Sequence, residues 1–158
     1  MYTEIALNPT ASFPQTPAEL AEAAAKKLFE IHSKTPLINK IKTLLGQGEN
    51  ELEHIGELVG NEAAQTHLGQ QQVSLSQICG SVSGRCKDFD KGFRPLNRQT
   101  EARWVSIAKA RRLGKRLPPV KLLLIGDKYF IEDGHHRISV SAACGDKLID
   151  ATVTTYAA

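Results

Sequence analysis

The chain has no arginine before position 85, no closely spaced pair of cysteines, few aromatic rings and no long apolar run. Each absence removes a class of protein. Cys79, Cys86 and Cys144 form no CxxC pair and leave one thiol over, which argues against a disulfide framework and a zinc knuckle and leaves ordinary reduced thiols. No stretch approaches the roughly 20 apolar residues that a membrane span needs. Met1-Tyr2-Thr3-Glu4 lacks the basic-then-apolar pattern of a secretory signal, so the expected location is the cytoplasm, with no membrane partner. Aromatic side chains are 6% of 158 residues, which gives little support to base stacking along a single strand. What remains, 41% hydrophobic and 23% charged, suits one globular domain, or one domain with a helical extension.

The net charge of +3 conceals an asymmetry. Residues 1–72 carry nine acidic and five basic side chains, whereas 73–158 carry eight acidic and fifteen basic ones. Any anion-binding surface therefore belongs to the second part. The density peaks between 85 and 121, with twelve basic residues against three acidic. Such a stretch either attracts a nucleic-acid backbone without reading its bases or forms a solvated basic face.

The first part reads as helices. Thr16-Pro17-Ala18-Glu19 has a capping residue, a proline at the first helical position and a glutamate three after the cap, followed by Leu20, Ala24, Leu28 and Ile31 on one face. Thr35-Pro36 repeats the start, with Leu37, Ile38, Ile41, Leu44 and Leu45 as a stripe and Gly46 as a stop. A third, shorter helix would carry Leu52, Ile55, Leu58 and Val59. His32, His54 and His67 lack the i,i+4 spacing of a helical metal pair and read as solvated or capping residues, and no metal site is expected. The helices have a structural role, with a protein partner open to them. Gly69-Gln70-Gln71-Gln72 is polar and places a boundary between a helical region at 1–72 and a domain at 73–158.

That domain opens with a strand by alternation at Val73–Ile78 and a small-residue loop, Gly80-Ser81-Val82-Ser83-Gly84-Arg85. Exposed N–H groups and Arg85 can hold phosphate, or the loop is a surface turn. A helix from about Thr100 to Leu113 buries Trp104, Ile107 and Ala108 and spaces Lys109, Arg112 and Arg116 along another face, candidates for a DNA backbone. It ends at Gly114, and Leu117-Pro118-Pro119-Val120 breaks the helical pattern beyond it. A buried strand, Lys121–Ile125, turns at Gly126-Asp127 into Tyr129-Phe130-Ile131, and a helix from His135 to about Cys144 stops at Gly145 before a last strand, Ile149–Tyr156.

Asp133-Gly134-His135-His136-Arg137 stands where a strand becomes a helix. Helix starts gather orphan N–H groups and the positive end of the dipole, glycine admits a ligand close to the backbone, and Arg137 offers a planar fork to phosphate oxygens. The same residues also describe a polar cap with two solvated histidines. Asp133 is either a base or a cap for the following N–H groups, and His135 and His136 suit hydrogen bonding better than chelation.

Leu117-Pro118-Pro119-Val120, the hairpin ending in Gly134-His135-His136-Arg137, and the helix and strand beyond it resemble the ParB/sulfiredoxin-like fold over residues 73–156. The class expected is α+β, a small mixed sheet with helices. The resemblance implies a nucleotide-phosphate pocket at the strand-to-helix junction. ParB proteins carry G-E-R-R there, matched by Gly134 and Arg137; sulfiredoxins carry G-C-H-R, whose cysteine is replaced here by His135. Binding is thus implied more strongly than sulfur chemistry or hydrolysis. The D-G-H-H-R form is similar to that of ParB-like proteins related to archaeal free-serine kinases; a phosphotransferase needs a base for the acceptor hydroxyl, and of Glu132 and Asp133 the one that adjoins the turn is Asp133, with His136 as a second participant.

Three readings follow. The first is a CTP- or ATP-binding module, with or without Mg2+, acting as a nucleotide-dependent switch, in which Ser83, Gly84, Arg85, Gly134, His135, His136 and Arg137 hold phosphates. A loop over 80–94 closes on them. The second is an NTPase or small-molecule phosphotransferase using Asp133 and His136. The third is a non-sequence-specific DNA-binding or partition-accessory protein using Lys109, Arg112 and Arg116.

Overall fold

The computed structural model describes residues 16–34, 52–55 and 65–156. Helix α1 (Pro17–His32) starts as its sequence dictates: Thr16 Oγ1 accepts the Glu19 N–H at 3.2 Å, and the Glu19 carboxylate accepts the Thr16 N–H at 2.9 Å. Two orphan donors are satisfied reciprocally. Its buried face is Ala21, Ala25 and Phe29, one residue on from the expected stripe, and Leu20 and Ile31 are exposed. Two alanines let a neighbouring helix come close, and Phe29 meets Trp104 edge-on at 5.4 Å between ring centroids.

The helix expected from Thr35 lies outside the described residues. The third expected helix is corrected over its described part, where Glu53–His54 form strand β1, parallel to a later strand, with Leu52 and Ile55 buried on either side. The pairing depends on Gly80, because a Cβ there would run into the Glu53 carbonyl. Local helical spacing lost to a tertiary pairing.

Strand β2 (Gln65–Ser74) contains Gly69-Gln70-Gln71-Gln72, so the stretch expected to separate two regions is the middle of a strand and position 72/73 falls inside it. An edge strand wetted on both faces needs no apolar residues, which is why its sequence reads as a linker. The strand expected at Val73–Ile78 is divided: β2 ends at Ser74, Leu75–Gln77 form a 3₁₀ turn, and β3 is Ile78–Ser81. A second 3₁₀ turn, Gly84–Asp88, and a third, Arg98–Thr100, lead to α2 (Glu101–Arg112).

From α2 onward sequence and structure agree. Strands β4 (Val120–Ile125) and β5 (Lys128–Asp133) form the hairpin over Gly126-Asp127, α3 is His135–Ala143, and β6 is Leu148–Tyr156. Both α2 and α3 stop at a left-handed glycine, Gly114 and Gly145. In each, the next two N–H groups fold back onto the last turn, from Gly114 and Lys115 to Arg111 and Ala110, and from Gly145 and Asp146 to Ala142 and Ser141.

The class is α+β. Among the described residues the sheet has six strands in the order β1-β3-β5-β4-β6-β2, with β1/β3, β3/β5 and β4/β6 parallel. Val120, Leu122, Ile131 and Val153 pack under Phe29, Trp104, Ile138 and Val140 in the main core. Trp104 is fully buried and its indole N–H reaches Ser139 Oγ at 2.8 Å, fastening α2 to α3. No helix among the described residues is long and apolar enough to cross a membrane.

Candidate functional site

Strands β3 and β5 are parallel neighbours and end on the same side of the sheet, where α3 begins. In open sheets this is where ligands collect, outside the carboxyl ends of parallel strands. Gly134 is the N-cap, at φ 109° and ψ 18°, and a Cβ on it would lie 2.6 Å from Val120 Cγ1. Only glycine turns β5 into α3 so close to β4. The first intrahelical bond is Ile138 N–H to the Gly134 carbonyl, so the N–H groups of His135, His136 and Arg137 precede it.

The two histidines are buried rather than solvated. His135 Nε2 lies 2.8 Å from Ser81 Oγ, which also receives the Ser83 N–H at 3.0 Å and touches the Ile131 carbonyl at 3.1 Å. Phe89 stacks on His135 at 6.1 Å between centroids and meets His136 edge-on at 5.3 Å. His136 is 7% exposed and its Nδ1 has no hydrogen-bond partner among the described residues. Both imidazoles are held neutral. Burial is the main cause for each, with the Arg85 charge and His136 adding for His135, and Arg103 and then Arg85 for His136; each pKa falls from 6.5 to about 4.

Arg85 lies on the exposed side of the Gly84–Asp88 turn, and neither it nor Arg103 has an ion pair or hydrogen bond among the described residues. Arg103 precedes Trp104 on α2 and was not singled out by the sequence. No local signal marks it: the Trp104–Ser139 bond, which puts this part of α2 against the first turns of α3, is a tertiary contact. Ser81 and Phe89 were likewise passed over. A serine among the small residues of a loop and an aromatic in a basic stretch carry no pattern that marks them.

Arg137 is engaged internally. One of its terminal nitrogens, Nη1, donates to the carbonyls of Pro118 and Pro119 at 2.7 and 2.8 Å, and Nη2 pairs with Asp133 Oδ2 at 2.8 Å. It ties the segment entering β4 to the start of α3. Asp133, its side chain 61% exposed, thus faces Arg137 in an ion pair, and α3 has no side-chain cap bond among the described residues.

The segment expected to close as a loop is packed into the core over its second part, 86–94. Buried Asp90 Oδ1 accepts the N–H groups of Gly92 and Arg94 at 2.9 and 2.8 Å, while Cys86, Phe89 and Phe93 are in the core. Phe93 takes a left-handed φ of 59° there, and its carbonyl lies 3.3 Å from His32 Nε2. His32 is thus packed between helix and loop, and its pKa is lowered, by burial above all.

The basic face also divides. Lys109 pairs with Glu22 of α1 at 2.8 Å and, with Lys26, holds that carboxylate down to about 2. Arg111 pairs with Asp146 through two contacts at 2.5 and 2.9 Å. Arg112, Lys115 and Arg116 are exposed without ion pairs among the described residues, and Arg116 lines a cleft with Pro118, Pro119 and Gln70–Gln72. No sequence model of a known family matches the chain, and no curated protein or solved structure matches it either.

Proposed function

We propose that the protein is a nucleotide-binding module of the ParB/sulfiredoxin-like type, which holds the phosphates of CTP or ATP, with or without Mg2+, at the start of α3. One observation carries this reading: a helix start at the ends of two parallel strands where, among the described residues, a buried imidazole nitrogen lacks a partner near two arginines that also lack one. A phosphate at the first-turn N–H groups supplies what all of them lack, an acceptor for His136 Nδ1–H and a counter-charge for Arg85 and Arg103. Ser83 and Gly84 lie beside it in the turn that carries Arg85.

Asp133 is held by Arg137, and a neutral His136 of low basicity is a weak proton acceptor, so binding without rapid turnover fits better than phosphoryl transfer. The role that follows is a nucleotide-dependent switch. Calorimetric titration with CTP and ATP, each with and without Mg2+, tests it, with Arg85→Ala as the control that leaves internal bonds intact. Saturable binding lost in that variant is expected. No binding of either nucleotide, or equal binding by the variant, overturns the reading.

A second reading rests on Arg112, Lys115 and Arg116, exposed cations without ion pairs among the described residues. They suit a DNA backbone held without base readout. Affinity for an arbitrary duplex would then fall steeply with salt, and a flat salt dependence excludes it.

A further inference from the structure

Strand β2 is the outer edge of the sheet and pairs only with β6 among the described residues. From Gln65 to Gln72 every residue is exposed, on both faces of the strand. Edges of this kind ordinarily carry lysine, proline or an inward charge that prevents further pairing. Residues 65–74 contain no Asp, Glu, Lys, Arg or Pro. The bulge between His67 and Gly69 shifts the register, and beyond it Gly69–Ser74 are paired residue by residue with 148–153 of β6. Among the described residues its other side is an open row of backbone donors and acceptors.

We propose that this edge pairs antiparallel with the same strand of a second copy of the chain, joining two sheets across a two-fold axis. A contact of that symmetry requires a strand complementary to itself. Centred on Gln71, the pairing sets Gln71 opposite Gln71, Gln70 opposite Gln72 and Gly69 opposite Val73 of the second copy, each pair on one face of the joined sheet. No like charges meet. The Gln71 and Gln72 amides each donate one N–H within the chain, to Tyr129 Oη and Asp150 Oδ1, and keep a carbonyl and a second N–H for a facing amide. A second copy is preferred to a foreign strand because β2 offers no charge by which a foreign sequence would be selected. The contact is small beside the roughly 1,000 Å² of a stable interface, so the dimer forms with rising concentration.

Sedimentation equilibrium of the full chain up to millimolar concentration tests this. Wild type is expected to shift from monomer toward dimer as concentration rises. Gln71→Lys/Gln72→Lys and Gln71→Glu/Gln72→Glu, which keep native circular dichroism, should each remain monomeric. Their equimolar mixture should associate again, because lysine then faces glutamate. A wild type that is monomeric throughout, charge variants that dimerise as wild type does, or a mixture that stays monomeric overturns the proposal.

Discussion

The start of α3 has two sides, built from adjacent residues and in opposite physical states. On the side of Pro118 and Pro119, Arg137 meets two carbonyls and a carboxylate, all within the chain. On the side of Ser81 and Arg85, among the described residues, an imidazole nitrogen is buried without a partner and two arginines have none. An arginine in a phosphate-like motif can therefore belong to the fold, while the cations available to a ligand come from neighbouring elements. The distinction is energetic and can be measured from either side.

Acid should give the largest effect. His135 and His136 bind protons below about 4 in the folded protein but below 6.5 when unfolded, so between those values the unfolded chain holds more protons. Stability is present in full above 6.5 and falls as pH drops toward 4, by on the order of 3 kcal/mol for each imidazole. Denaturant midpoints across that window should flatten in His135→Asn/His136→Asn. Next, Arg137→Ala strips partners from two carbonyls and Asp133 and should lower unfolding free energy by about 2 to 3 kcal/mol in urea titration. A loss near zero would erase the contrast between the two sides. Gly134→Ala places a methyl group against Val120 at a left-handed backbone position and should cost about 2 kcal/mol, read as a lowered thermal midpoint. Arg85→Ala should move stability by less than about 0.5 kcal/mol, while nucleotide affinity drops at least about tenfold.

Elements whose identity is written locally were legible. The Thr16–Glu19 box, the Gly126-Asp127 turn and the Gly114 and Gly145 stops each need only neighbours in the chain, and each sits where the sequence puts it. Strand β1 and the polar strand β2 were not legible, because Glu53–His54 and Gln70–Gln72 become strands only through residues far along the chain, Gly80 and Thr152 among them. At the site, the strand-to-helix junction at Gly134 was readable, since glycine between a strand and a polar helix start has a local cause. The internal engagement of Arg137 and the presence of Arg103 were not, because both depend on which segments pack beside α3.

Asp90 sits in a stretch that looks, by sequence, like a loop free to swing. Its carboxylate holds two loop amides from a position with no exposed surface, and Phe89 and Phe93 anchor the segment on either side. The Gly92 and Arg94 amides should therefore exchange with solvent deuterium almost as slowly as those of the central strands, since opening them means lifting two rings out of the core. A loop with the exchange behaviour of a strand keeps its shape before, during and after any encounter. Whatever approaches the 89–94 segment then meets a surface already set.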